Sequence, residues 1–329
     1  MVVTPARKDS TLTHTDVPHY SRRRLIFDLT GFVVGALLLA WIIQQAIQKG
    51  DWSRVLEAPP WLLVALVGST LVSALANGAC FWITVRAIKP LRFWDLQALN
   101  LVASMLNYAP VRIGALSRFA YHMRVDRMRL LEIIAWFVAI MGMFGVGLAA
   151  VIGAIIIYPE LNVIWFILLV VGTVSLGLIL RALAATPIIM RHGRGAGPIL
   201  RNHRALWGGI VLRLIDLAAF ACRMAAALAI LGIDISPTQT LVLAVVAVLA
   251  NLIPFGRVGF REYAVAIVAT QFFSTESLDV PWEMLALFES AGEAAVFIPL
   301  GGLLLIWFIP RMAKTRSVEK QTNEAKESV

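Results

Sequence analysis

Charged residues are scarce in this chain, and cysteines are scarcer. Only 15% of the 329 residues are charged, and the two cysteines are Cys80 and Cys222. A soluble globular domain carries about 25% charged residues, so this chain has too little polar surface for that class. Both cysteines lie in apolar runs, and the sequence has no C-x-x-C pair or Cys/His ligand spacing. These absences exclude a disulfide framework and predict neither a metal site nor a cofactor.

Apolar residues make up the difference. They account for 59% of the chain, and its mean hydropathy is +0.79, whereas globular proteins contain about 45–50% apolar residues. We therefore predict an integral membrane protein whose long apolar runs cross the bilayer. The runs long enough to do so are residues 25–48, 60–85, 131–158, 161–181, 205–232 and 283–309.

The first of these runs follows three arginines and so resembles a signal peptide. Its uncharged stretch, Leu29–Gln48, is 20 residues long, whereas the apolar core of a signal peptide has about 7–15 residues. No small-x-small cleavage pattern follows it. We predict a retained first transmembrane helix.

Two further apolar segments, residues 93–123 and 237–275, differ in kind. Each contains two apolar arms separated by a break of proline, glycine and arginine. Each arm is short for a membrane crossing, and the break lies in the middle of the segment. This pattern predicts re-entrant helical hairpins rather than full crossings.

The basic residues agree with six crossings and two hairpins that each return to their own side. With a cytoplasmic N-terminus, 22 of the 29 Lys and Arg residues fall on the inner side, and only Lys49 and Arg54 fall on the outer side. Such an excess on one side is what the positive-inside rule describes. The rule predicts that both termini are cytoplasmic.

The breaks of the two hairpins resemble each other. Both read N-x-x-P, then R-x-G, then another Arg, and Asn107 and Asn251 are 144 residues apart. Shifting the start of the second span by the same distance comes within one residue of the start of the fifth. The predicted tip residues are Asn107, Pro110, Gly114, Asn251, Pro254 and Gly259.

This spacing predicts an all-α polytopic membrane protein built from two repeats. Because each repeat contains three crossings, the two have inverted topology, which is the architecture of many secondary transporters. The predicted parts are a disordered tail at 1–24, repeat 1 at 25–158, repeat 2 at 161–310 and a cytoplasmic tail at 311–329, disordered from 315. A duplication kept for stability alone is the alternative.

The hairpin tips and the spans contain charges that suit an anion. A proline ends each first arm, and the second arm then begins with free N–H groups near an arginine, at predicted mid-membrane depth. Two opposed tips place two such sites close together. The predicted headgroup-binding residues are Arg112, Arg118, Arg213, Arg223, Arg257, Arg261 and Glu262.

The acidic residues of the spans leave two interpretations open. Asp216, Glu289 and Glu293 either carry protons in a coupled transport step or pair with the arginines. Five arginines at membrane depth face four acidic residues, which is close to a neutral network. An anionic headgroup is favoured once Arg118, at the inner edge, joins the arginines.

The two motifs resemble those of a known family. The stretch Asn107–Arg118 and the stretch Pro254-Phe-Gly-Arg-Val-Gly-Phe-Arg-Glu262 are similar to two motifs in the transmembrane domain of bacterial lysylphosphatidylglycerol synthase/flippase proteins. The resemblance extends over about 25–310 in span order and spacing. Two departures are Ala115, where the family usually has an acidic residue, and Glu289 and Glu293 in a span that often carries an arginine.

The resemblance implies a function in lipid transport and a location in the cytoplasmic (inner) membrane of a bacterium. Members of the family are thought to move phospholipids or polyprenyl-linked lipids between leaflets, and this chain is expected to be a stand-alone form without the soluble synthase domain. We predict a flippase-like transporter, not an enzyme, with membrane lipids as partners and no nucleic acid. The alternatives are a non-transporting partner of a lipid-modifying enzyme and an enzyme that modifies lipid headgroups. The oligomeric state stays open.

Overall fold

A computed structural model describes residues 22–49, 53–109, 113–186, 195–252, 259–273 and 282–327. All regular structure in these ranges is helical. The helices are α1 (Arg22–Lys49), α2 (Ser53–Leu56), α3 (Pro60–Val85), α4 (Phe93–Leu106), α5 (Ile113–Arg124), α6 (Leu130–Ile157), α7 (Val163–Ala184), α8 (Ala196–Arg201), α9 (His203–Leu231), α10 (Pro237–Ala250), α11 (Phe260–Phe273) and α12 (Trp282–Glu327).

Five of the described helices are long and apolar enough to cross a membrane. They are α3, α6, α7, α9 and the Trp282–Ala313 part of α12. The chain is therefore a polytopic membrane protein. Helix α1 has 28 residues, but its described apolar part, Val33–Gln48, is shorter than a full span. The predicted crossing at 25–48 thus stays a prediction.

Two pairs of short helices occupy the segments with central breaks. Helices α4 and α5 have 14 and 12 residues, and α10 and α11 have 14 each. Asn107 caps the C-terminus of α4, and Asn251 caps that of α10. The predicted tip residues Pro110, Arg112, Pro254 and Arg257 lie outside the described residues.

The two tip glycines permit close backbone contacts. Gly259 has φ +88°, and a Cβ atom there would lie 1.7 Å from the carbonyl oxygen of Gly35 in α1. A Cβ atom on Gly114 would lie 1.9 Å from the carbonyl oxygen of Ala103 in α4. Glycine at these positions therefore lets α11 begin against α1, and α5 begin against the end of α4.

Helices α3 and α9 form the centre of the molecule and pack along each other over most of their length. Helix α9 also packs against α6, and α3 packs against α12. Small residues bring these helices together, since a Cβ atom on Gly209 of α9 would lie 2.4 Å from Met143 Sδ of α6. Separate apolar cores form around Trp136, between α3, α6 and α9, and around Met224, between α9, α10, α11 and α12.

The C-terminal helix differs from the prediction. The sequence predicts a last span at 283–309 and a disordered tail from 315, but α12 has 46 residues and continues to Glu327. Pro299 and Pro310 lie within it. A proline removes one backbone hydrogen bond without forcing the helix to end, and the residues beyond Pro310 include many good helix formers, such as Ala, Lys, Glu and Met.

Packing of α12 against α4 gives a stability prediction. A Cβ atom on Gly301 would lie 2.5 Å from Met105 Cβ and 2.9 Å from the carbonyl oxygen of Leu101, whereas one on Gly302 would meet only Met105 Sδ, at 3.9 Å. We expect Gly301→Ala to lower the free energy of unfolding by about 1–3 kcal/mol through overpacking. Thermal unfolding in detergent measures this change.

Gly302→Ala is the matched control, because it makes the same change in helix propensity one residue away. We expect its unfolding temperature to equal or exceed that of the wild type. Equal losses of stability in the two variants would contradict the close packing of α4 and α12.

Candidate functional site

One face of α9 carries its buried charges. Arg213, Asp216, Phe220 and Arg223 recur at intervals of three and four residues, so they lie on one stripe of the helix. Arg213 and Arg223 are 8% and 1% exposed. Both donate hydrogen bonds to side chains of α3. The stripe therefore faces the interior, where it contributes to two separate charge clusters.

The first cluster, which we call the paired cluster, consists of Arg223, Arg261, Glu262, Glu289 and Glu293. Arg223 of α9 donates through Nε to Glu289 Oε1 at 2.5 Å and through Nη2 to Glu293 Oε2 at 3.1 Å. Arg261 of α11 has Nη2 at 3.0 Å from Glu289 Oε2 and Nη1 at 2.5 Å from Glu293 Oε2. All five residues are 3% exposed or less. Each guanidinium thus contacts both of these carboxylates of α12.

Glu262 caps the N-terminus of α11. Its Oε2 accepts a hydrogen bond of 2.8 Å from the backbone N–H of Gly259, and its Oε1 accepts one from Ser290 Oγ. A carboxylate at this position satisfies free N–H groups and interacts favourably with the positive end of the helix dipole. The chain's own carboxylate therefore occupies the helix end at which the sequence predicts a headgroup anion.

The sequence leaves open whether Glu289 and Glu293 carry protons in transport or pair with arginines, and the geometry of the paired cluster is relevant to this choice. Glu289 and Glu293 lie one turn apart, and the same two guanidiniums contact both. Each carboxylate thus lies against two positive charges, and this arrangement matches charge pairing. Within the described ranges, no group of three His, Cys, Asp or Glu side chains is arranged to hold a metal ion.

The second cluster surrounds Arg118 of α5 and Arg213 of α9, and we call it the Arg118–Arg213 cluster. Arg118 Nη2 donates to Asn100 Oδ1 of α4 at 2.6 Å. Arg213 Nη1 donates to Asn77 Oδ1 of α3 at 2.8 Å and to Asp216 Oδ2 at 3.2 Å. Asn77 in turn donates to Asn100 at 3.0 Å. A chain of amide side chains thus joins the two arginines.

Charge is unbalanced in this second cluster, which has two guanidiniums and one carboxylate, Asp216. Arg118 is 9% exposed, and no carboxylate among the described residues lies within ion-pair distance of it. The guanidinium carbons of Arg118 and Arg213 lie 4.4 and 5.9 Å from the centre of the same ring, that of Phe81. Cation–π attraction of this kind offsets only part of the cost of a buried charge.

The sequence profile of one family matches residues 29–278, well over half of the chain, and that family is the lysylphosphatidylglycerol synthase transmembrane region. The chain belongs to this family. The match confirms the resemblance inferred from the hairpin motifs. No curated protein and no solved structure matches the chain.

Within this lysylphosphatidylglycerol synthase transmembrane-region protein, the predicted site residues divide between the two clusters. Arg118, Arg213 and Asp216 belong to one, and Arg223, Arg261, Glu262, Glu289 and Glu293 belong to the other. Arg213 and Arg223 lie on the same stripe of α9, but the two arginines have different partners. Glu289 and Glu293 lie beyond the part of the chain that the family profile matches.

Sequence reasoning missed the neutral partners of these arginines. Ser73 and Asn77 are one turn apart on α3, as are Gln97 and Asn100 on α4. Polar side chains at this spacing inside apolar helices are a signal that could have identified them. The ring of Phe81 gives no such signal, because aromatic residues are common in transmembrane helices.

A large apolar groove lies on the other side of α9, between α6, α7 and α10. Its volume is about 960 Å³. Its lining is mostly aliphatic and aromatic, and it remains open to the surroundings, because Val211 and Phe166 in that lining are 52% and 56% exposed. A groove of this character suits hydrocarbon chains.

Breaking the paired cluster gives the second prediction. Arg223→Met removes donors from Glu289 and Glu293 and leaves buried carboxylates with fewer partners, so we expect a loss of about 3–5 kcal/mol in the free energy of unfolding. The double variant Arg223→Met/Glu289→Gln removes one charge of each sign. We expect it to be more stable than Arg223→Met alone, as measured by thermal unfolding in detergent.

Asp95→Asn is the control, since the Arg311–Asp95 pair has the same chemistry at 37% and 30% exposure. Loss of so exposed a pair costs at most about 1 kcal/mol. If Arg223→Met and Asp95→Asn lowered the unfolding temperature equally, the paired cluster would have no special role in stability.

Proposed function

We propose that this protein is a flippase-like transporter that moves an anionic phospholipid or a lipid-linked substrate of polyprenyl or glycolipid type between leaflets. The proposal rests on two buried arginines, Arg118 on α5 and Arg261 on α11. They come from the two helix–break–helix segments and lie near aromatic rings of the central helices α3 and α9, those of Phe81 and Phe220. Polar and charged groups at membrane depth in a polytopic protein typically mark the pathway of a substrate or an ion.

The transporter we propose has six crossings, two re-entrant hairpins and two inverted repeats, at 25–158 and 161–310. The order of elements supports this arrangement, because α1, α3, α4–α5 and α6 correspond to α7, α9, α10–α11 and α12. Contacts between helices support the two repeats as well, because corresponding helices have corresponding neighbours. Helix α1 packs on α12, and its counterpart α7 packs on α6. Helix α3 packs on α12, and its counterpart α9 packs on α6.

The orientation we propose has both termini in the cytoplasm and the protein in the bacterial inner membrane, with tails at 1–24 and 311–329. The distribution of Lys and Arg, 22 of 29 on the inner side, supports it. A single cysteine introduced near Asn162, in a Cys80→Ala/Cys222→Ala background, should react with an impermeant thiol reagent added from outside the cell.

Lipid transport needs room for both ends of the substrate. In our proposal the buried arginines receive the headgroup, and the apolar groove beside α9 takes the hydrocarbon chains. The two lie on opposite faces of one helix, so a lipid could extend around α9 with its phosphate inside and its tails in the groove. The acidic residues Asp216, Glu289 and Glu293 either neutralise the arginines between cycles or take part in proton coupling.

Reconstitution tests the proposed function. We expect proteoliposomes containing the wild-type chain to expose a fluorescent phosphatidylglycerol of the inner leaflet to dithionite faster than protein-free vesicles. Arg118→Gln removes the buried guanidinium that no described carboxylate contacts and should slow this exchange at least tenfold. Arg181→Gln, on the exposed end of α7, is the control and should leave it unchanged.

Exchange no faster than in protein-free vesicles, for every anionic and polyprenyl phosphate lipid tried with folded protein, would contradict transport. The chain would then act as a non-transporting partner of a lipid-modifying enzyme. Turnover of a headgroup by the purified chain alone would instead identify a membrane enzyme.

A further inference from the structure

We infer that Arg118 and Arg213 form the phosphate subsite of the lipid substrate, and that this subsite takes a singly charged phosphodiester. The inference rests on the proposed function and sharpens it, because it separates a binding cluster from a structural one. In this inference, the paired cluster stabilises the packing of α9, α11 and α12 and does not bind the headgroup.

The two clusters differ in their balance of charge. In the paired cluster, both guanidiniums contact two carboxylates at 2.5–3.1 Å, so an incoming anion would have to displace the chain's own acids. In the Arg118–Arg213 cluster, one carboxylate faces two guanidiniums. An anion entering there would complete the charge balance instead of disturbing it.

Both arginines of the Arg118–Arg213 cluster have N–H donors without a hydrogen-bond partner among the described residues. A guanidinium has five N–H donors, and Arg118 uses one of them, to Asn100, among the described residues. The Nε atom of Arg213 is buried without a hydrogen-bond partner. Buried donors of this kind are costly unless a partner is present for part of the functional cycle. A phosphate oxygen is a strong acceptor for such donors.

Phe81 of α3 lies beside both arginines of the cluster. The centre of its ring is 4.4 Å from the guanidinium carbon of Arg118 and 5.9 Å from that of Arg213, so the two like charges are separated by no more than the sum of these distances. Repulsion between two buried charges at such a separation favours the entry of an anion near both of them. The amide chain Asn77–Asn100 fixes both arginines in this position before a ligand arrives, which lowers the cost of binding.

The net charge of the cluster indicates the class of its ligand. The described cluster has an excess of one positive charge, so a phosphodiester with charge −1 balances it. A monophosphate or diphosphate of a polyprenol carries more negative charge and would leave the site overcharged. Among the candidate substrates, the charge balance therefore favours a phospholipid such as phosphatidylglycerol over a polyprenyl phosphate.

Ligand-induced stabilisation tests the inference with probes that stay soluble. Purified chain in uncharged detergent is heated with dihexanoyl phosphatidylglycerol, dihexanoyl phosphatidylcholine, farnesyl diphosphate or inorganic phosphate. Binding to the folded state raises the unfolding temperature. We expect phosphatidylglycerol to stabilise the wild-type chain most. A similar effect of inorganic phosphate would identify the phosphate group alone as the ligand, and a larger effect of farnesyl diphosphate would overturn the assignment to a phosphodiester.

Arg118→Gln separates a binding role from a structural one. A glutamine retains an N–H donor toward Asn100 and removes the unbalanced charge, so without lipid we expect an unfolding temperature equal to or above that of the wild type. Its affinity for phosphatidylglycerol should fall at least tenfold, Arg118→Lys should retain part of it, and Arg181→Gln should retain all of it. Unchanged affinity in folded Arg118→Gln would overturn the inference.

The transport assay distinguishes failure of the subsite from failure of the function. If the wild type and Arg118→Gln exchange lipid equally fast, the inferred phosphate subsite is wrong and the proposed transport function is supported. If the wild type binds phosphatidylglycerol through Arg118 but exchanges no lipid, the phosphate subsite is supported and the proposed transport function is wrong.

Discussion

The structure depends on keeping buried arginines next to carboxylates. Arg223 and Arg261 come from α9 and α11, and they meet Glu289 and Glu293 of α12 in a site with almost no access to solvent. In such surroundings an unpaired charge is far more costly than in water. Pairing therefore determines how these three helices sit against one another, and it joins the second helix–break–helix segment to the centre of the fold.

The same cost of a buried charge distinguishes the Arg118–Arg213 cluster from the paired cluster. In the paired cluster, carboxylates balance the arginines and hold the helices together. Arg118, in contrast, has amide and aromatic neighbours but no carboxylate among the described residues. Natural proteins accept a loss of stability of this kind at sites of function. A transporter needs both arrangements, because one holds the helices together and the other lets an anion enter and leave.

Much of the fold could be predicted because apolar run length is a local property of the sequence. The predicted span 60–85 coincides with α3, and α9 differs from its prediction by two residues at one end and one at the other. Family membership followed from short motifs and is confirmed. The sequence also indicated which charges are buried. It could not indicate their partners, because Arg223 and Glu289 are 66 residues apart and tertiary packing alone brings them together. The long helix after Pro310 was missed because charge and proline suggested a tail.

The central claim is that lipid phosphate binds at Arg118 and Arg213 and not at the paired cluster. The most direct test is a cryo-electron microscopy structure in nanodiscs that contain phosphatidylglycerol. The account predicts phosphate density in contact with both arginines beside Phe81, with Arg223 and Arg261 still bound to Glu289 and Glu293. Phosphate density at Arg223 or Arg261, with the Arg118–Arg213 cluster empty, would contradict it.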